Sequence, residues 1–194
     1  MTQDRHQIGR DDIMPMADYA RVRAERRRAL VAMKRHRRLA VGPNATVHFE
    51  NYETMWAQVH EMLFIEGGGD AQVDDELRAF NPLIPQGREL VATLMFEIDD
   101  PARRAALLGR LGGVGNTLWL EFADQKVAGA PADAPDRDGR ASAVQFIHFP
   151  FADAQADLFR RPGMRVVLGI SHPQYPHMTM VPEMVRAALA ADFD

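Results

Sequence analysis

The chain has 194 residues, 46 % hydrophobic and 26 % charged, with a net charge of −4 and no cysteine. Such a composition buries a sizeable core in one soluble domain and argues against disorder. It excludes disulfides, thiolate metal sites and an iron–sulfur cluster ligated by this chain, and no stretch approaches the roughly 18–20 apolar residues that cross a bilayer.

The first residues, MTQDRHQIGRDD, are polar and lack the apolar run of a signal peptide, so a cytoplasmic protein is expected. A long helix is predicted from Ala17 to Arg38, with Pro15 near its start and Gly42-Pro43 closing the segment. Residues 21–38 hold nine of the 23 Lys and Arg residues and a single acid, Glu25, which makes the segment +8. The remainder must then carry −12 to reach the total of −4. On a wheel of about 100° per residue, Tyr19, Val22, Leu30 and Met33 share one face. Arg23, Arg27, Lys34 and Arg38 form a row beside it.

Ala45 to Glu50 alternates, with Val47 and Phe49 on one side and His48 and Glu50 on the other, and so reads as a strand. A second helix follows over Thr54 to Ile65, stopped by Gly67-Gly68-Gly69, and a shorter amphipathic one over Val73 to Phe80. The loop Asn81-Pro82-Leu83-Ile84-Pro85 suits neither regular structure. Strands are expected at Leu90–Ile98, Thr117–Phe122, Ser142–Phe149 and Met164–Ser171, and Gln125–Ala130 can return as a hairpin. Helices fill Pro101–Leu111, Ala152–Arg160 and Pro182–Ala191. The acidic, proline-punctuated stretch from Gly129 to Gly139 reads as a mobile loop. The order implies an α+β fold: a largely antiparallel sheet of about five or six strands, covering helices and a long basic N-terminal helix. One domain spans 1–194, with 1–42 as a helical arm.

Tyr19, Arg23 and Arg27, Lys34 with Arg37-Arg38, Gly42 and Phe49-Glu50-Asn51 form one part of a wider pattern. It continues through Gln58, Glu61-Met62, Glu66, the Asn81–Pro85 loop and Ser142-Ala143-Val144. His172-Pro173, Tyr175-Pro176-His177 and the segment Ala187–Asp192 close it. Together these resemble a bacterial domain-of-unknown-function family whose members are often encoded beside rubrerythrin-like and iron–sulfur oxidoreductase proteins. The resemblance implies a setting in redox or peroxide metabolism, with such a protein as partner. It carries no reaction and transfers no catalytic residue, and the 129–139 stretch does not match it.

Two groups of residues can carry chemistry. The row Arg23, Arg27, Lys34 and Arg38 can hold an anion or an acidic partner, because guanidinium groups grip carboxylate and phosphate bidentately. The bland alternative pairs it internally with Glu50, Glu61 and Glu66, or leaves it solvated. Nucleic acid is disfavoured, because the strongly acidic remainder repels phosphate. The second group is His172 and His177, flanking a Pro173-Gln174-Tyr175-Pro176 turn after an apolar strand, with His48, Glu50 and Glu61. These supply the N and O donors that zinc or iron takes, although no recognised metal motif is present. The bland reading gives both histidines hydrogen bonds to turn backbone. Gly112-Gly113-Val114-Gly115 follows a helix and precedes a strand, the reverse of a phosphate loop, and is read as a helix stop. Two function classes therefore stand: a non-catalytic accessory protein of a redox system, and a His/carboxylate metal-binding protein or enzyme. The metal reading requires the C-terminal turn and the His48–Glu50 strand to converge. Self-association is left open.

Overall fold

The computed structural model describes residues 6–132 and 139–194. Residues 133–138, most of the loop expected between Gly129 and Gly139, lie outside the described residues, as do residues 1–5. The fold is α+β and antiparallel throughout, as the element order implies, but its strands divide between two sheets.

The first sheet runs β1 (Arg38–Val41), β2 (Ala45–Glu50), β3 (Glu89–Phe96), β7 (Val144–Pro150) and β6 (Ala130–Pro131). The second runs β5 (Gln125–Ala128), β4 (Leu118–Phe122), β8 (Val166–His172) and β9 (Tyr175–Val181). Among the described residues six α-helices complete the fold: α1 (Met16–Lys34), α2 (Tyr52–Glu66), α3 (Asp70–Phe80), α4 (Pro101–Leu108), α5 (Asp153–Arg160) and α6 (Glu183–Ala190).

Alternation along the strands builds the layers. Val47, Phe49, Leu90, Ala92 and Leu94 point from the first sheet into a core shared with Leu118, Leu120, Leu168 and Ile170 of the second. The opposite face of the first sheet is covered by helices. There Val91 and Phe146 pack against Tyr19, Met55, Trp56, Val59 and Leu63 in a second core. Direct cross-strand partners share a face, so Arg38, His48, Thr93 and Phe146 form one row beneath the helices. The molecule is thus a helical layer, a sheet and a second sheet.

Two boundaries differ from the sequence reading for physical reasons. The first helix ends at Lys34, and Arg38–Val41 pairs with β2 as an edge strand, so the C-terminal end of the expected helical arm belongs to the sheet. Leu39 and Val41 are buried on the core face, and that burial outweighs continuation of a helix rich in Arg. The expected rigid turn over 173–176 shrinks to a two-residue hairpin turn at Pro173-Gln174, and Tyr175–Val181 is a strand paired with β8. Pro176 is tolerated because β9 is an edge strand.

α2 is capped locally. The Asn51 side chain accepts from Thr54 N at 3.0 Å, and the Thr54 hydroxyl accepts from Asn51 N at 2.9 Å. Gly67 closes the helix in the left-handed conformation at φ 65°. The sheets are stitched at one corner by the buried Tyr175 hydroxyl, which accepts from Asn44 N and Ala45 N and donates to Val41 O at 2.9–3.0 Å. Gly42 beneath it has φ 72°, and a Cβ there would meet the His177 ring at 2.5 Å. Tyr175 is therefore a packed structural residue.

Candidate functional site

The basic segment divides in two. On its inner side Arg23 donates from Nε and Nη2 to the two oxygens of Glu61, both at 2.8 Å, while Tyr19 donates to the same carboxylate at 2.8 Å. Arg23 also lies 4.7 Å from the centre of the Phe64 ring. These donors hold the Glu61 carboxyl below its ordinary range. Arg38 pairs with Glu97 at 3.1 Å, and Arg21 with Asp18 at 2.9 Å. Arg26 stacks over Trp56 at 5.1 Å. Of the carboxylates expected to answer the row, only Glu61 does so. Glu50 accepts from the Thr93 hydroxyl at 2.7 Å, Glu66 accepts from Gln72, and the partner of Arg38 is Glu97.

Arg37, which is not part of the row Arg23, Arg27, Lys34 and Arg38, is the buried arginine of the segment. It is 3 % exposed, and all five of its N–H donors are used. Nε donates to Phe49 O, Nη2 to Glu50 O and Asp192 Oδ2, and Nη1 to Asp192 Oδ1 and Ala188 O. Burial pushes the Asp192 carboxyl up, against the pull of Arg37. In sequence Arg37 is indistinguishable from its exposed neighbours. The only signal for it was the family pattern, which contains Arg37, Asn51, the Asn81–Pro85 loop and Asp192. Those segments meet around one cleft of about 640 Å³, where Arg37 and Asp192 share a wall with Asn51, Ile84, Pro85 and Phe193. With every Arg37 donor engaged, the cleft wall offers no free guanidinium to an anion.

The outer side of the segment differs. Arg27, Arg28 and Arg35 have no carboxylate at ion-pair distance among the described residues; Lys34 has none either, but it is half-buried and its charge reaches His48 beneath the helices. Arg27, Arg28 and Arg35 are exposed, and with Ala32 they surround Val31, which is 58 % exposed, in a shallow depression on α1. Val31 is thus a single apolar side chain in water, bordered by guanidinium groups that have no carboxylate partner among the described residues.

The histidines do not assemble with one another. His172 lies at the end of β8; its Nδ1 accepts from Gln174 N at 3.2 Å, which leaves Nε2 to donate to Gly112 O at 3.3 Å. His177 is on β9 facing the shared core, tilted against Tyr175 at 4.3 Å. His48 and Glu50 are on the helix-covered face of the first sheet, and Glu61 is on α2 bound to Arg23. Among the described residues no group of three or more His, Asp or Glu side chains is arranged to hold a metal ion. Three buried side-chain atoms lack hydrogen-bond partners among the described residues: His48 Nε2 and Glu50 Oε2, on one face of β2, and His177 Nδ1 on β9. Burial and the nearby Arg38 lower the His48 pKa, so it is a neutral donor at neutral pH. Gly113, at φ 77°, follows the end of α4 and precedes a 3₁₀ turn, as a helix stop and not a phosphate loop.

Comparisons with other proteins place the chain in a family and match its fold. A family model described as a protein of unknown function (DUF3501) matches residues 7–193. The chain is similar to a novel protein of unknown function from Burkholderia pseudomallei K96243, solved by crystallography. The two are 33 % identical with a TM-score of 0.90, over 97 % of this chain and all of the other. Comparison with curated proteins gives no match.

Proposed function

Because the chain belongs to the DUF3501 family, whose function is unknown, its role must be read from its surface, and we propose that it is a non-catalytic accessory protein. In this reading it docks an acidic protein through the outer face of α1. The observation that carries the reading is the division of the basic segment. Arg21, Arg23, Arg37 and Arg38 are paired with carboxylates of the chain itself, while the exposed Arg27, Arg28 and Arg35 have no such partner among the described residues. A cationic helix face with an apolar residue at its centre complements an acidic groove or helix that presents one apolar side chain. The family resemblance directs the choice of partner to a rubrerythrin-like or iron–sulfur oxidoreductase protein. The absence of cysteine fits a protein that lends surface instead of redox groups.

Nucleic acid is the less suitable anion. The patch is one short helix face, and the rest of the chain carries a strong negative excess that repels a phosphate backbone. Purified rubrerythrin-like and iron–sulfur oxidoreductase proteins of the source organism, titrated against the chain, test the reading. Reversing Arg27, Arg28 and Arg35 to Glu should weaken binding by about tenfold or more and flatten its salt dependence. Equal affinity for wild type and variant, or binding of duplex DNA in place of both proteins, would overturn it.

A second reading rests on the orphaned His48 and Glu50 atoms, which a zinc or iron ion could join if further ligands came from solvent. Metal analysis of the purified wild type and of His48→Ala separates the two. Stoichiometric metal lost in the variant favours the metal.

A further inference from the structure

The two sheets are finished differently on their outer faces. The first is roofed by α1, α2 and α3, whereas on the outer face of the second Glu121, Lys126, Met178 and Met180 are exposed. Core-facing residues of β9 alternate with Met178 and Met180, and register places Met178 beside Gly169 and Trp119, and Met180 beside Val167 and Glu121. Met178 is 69 % exposed and Met180 is also exposed. Both are unbranched, polarisable side chains that adapt to whatever packs on them.

Trp119 is built into this face as a fixed platform. Its ring lies over Gly169 so closely that a Cβ there would come within 2.2 Å of it. Its indole N–H donates to the Ser171 hydroxyl at 2.6 Å, and the Lys126 ammonium sits 4.6 Å from the ring centre. An aromatic side chain held flat on an open sheet contributes nothing to either core. It is the type of residue that anchors an interface.

We propose that the occupant of this face is the same face of a second copy, giving a two-fold, sheet-on-sheet dimer. A two-fold contact must be self-complementary, because each residue meets the other copy of the same patch. This face satisfies that condition: beside its apolar centre stand one acid and one base, Glu121 and Lys126, directly opposite each other on β4 and β5. Across a two-fold axis, Glu121 of each copy meets Lys126 of the other. The acidic partner suited to α1 finds no such match here, since the patch carries no cationic excess.

Four strands of about six residues present a footprint of roughly 400 Å² per copy, from strand spacing and rise. That is below the ~800 Å² per partner of a standard stable interface, so the dimer is of the weak, transient class and is populated at high concentration. α1 lies on the far side of the first sheet, so dimerisation leaves both cationic faces outward and makes a bivalent docking unit. This extends the proposed function while resting on different residues.

Sedimentation equilibrium of the full chain, from about 1 µM to several hundred micromolar, tests it. The wild type should approach twice the chain mass with rising concentration. Met178→Lys with Met180→Lys should remain monomeric throughout, and both positions are exposed enough to leave folding intact. Arg28→Glu should associate as the wild type does, which separates this result from the fate of the α1 reading. A wild type that stays monomeric at every concentration, or a dimer unchanged in the double Lys variant, would overturn the proposal.

Discussion

Arg23 and Glu61, 38 residues apart, lie fork to fork, with two N–H···O bonds of 2.8 Å joining α1 to α2. This contact turns the helix so that one flank of the basic segment is consumed by the fold and the other is left to solvent. Tyr19 adds a third hydrogen bond to the same carboxylate, so Glu61 is the pivot of the helical layer.

Replacing Glu61 by Gln should therefore destabilise the protein at neutral pH and matter less in acid. The folded-state pKa of Glu61 is depressed, so its contribution is present above the unfolded carboxyl value and is lost as pH falls through the folded one. Urea midpoints of wild type and Glu61→Gln should be well separated at pH 7 and draw together only at pH values below the ordinary carboxyl range, as pH falls through the folded-state value of Glu61.

Asp192→Asn should be among the most damaging single changes in the chain. It leaves the Arg37 guanidinium buried without its counter-charge, which typically costs about 3–5 kcal/mol. It also frees the end of α6 from the β1 and β2 segment that Arg37 ties to it. Chemical denaturation gives the loss. Pairing it with Arg37→Met should cost less than the sum of the single changes, because the two residues form one unit.

His60 is fully buried, with Nδ1 donating to Trp56 O at 2.8 Å and Nε2 accepting from Met14 N at 3.0 Å. Burial lowers its pKa, and burial with Arg38 does the same at His48. The unfolded chain then binds more protons than the folded one as pH falls below about 6.5, so stability should decline from pH 7 toward pH 5. Thermal unfolding across that range measures it. His60→Gln should reduce the slope while lowering stability at pH 7, since Met14 loses its acceptor.

Gly169→Ala should displace Trp119 from its bed and break the bond to Ser171, because no room exists for the added carbon. Trp56 is the chain's only other tryptophan and is buried, so a red-shifted emission component reports Trp119. The cost to stability should stay within about 1 kcal/mol, since the ring leaves an open face and not a core.

The parts of this structure legible in sequence are those set by local pattern. The alternation of Ala45–Glu50 separates Val47 and Phe49 from His48 and Glu50, and the fold puts the first pair in the core and the second on the opposite face. The glycines at 67–69 and the apolar periodicity before them located α2 within two residues. Strand β9 was hidden because Pro176 and Pro173 suggested a turn, although Tyr175, His177, Thr179 and Val181 alternate with exposed residues. The division into two sheets depends on non-local pairing, which no window of sequence contains. At the candidate site, the sequence shows how dense the cations are but not that Arg38 leaves the helix for β1, nor which of them the fold pairs. Which Arg meets a carboxylate depends on where α2 and Glu97 lie, and Arg37 looks like any other member of its block until Asp192 is brought beside it.

The most direct test of the account is co-purification from the native host, comparing the wild type with the Arg27, Arg28 and Arg35 to Glu variant at matched thermal stability. The account predicts that a rubrerythrin-like or iron–sulfur oxidoreductase protein, identified by mass spectrometry, accompanies the wild type at low salt and is absent with the variant. The same partner retained by both, or a wild type that purifies without one, would contradict it.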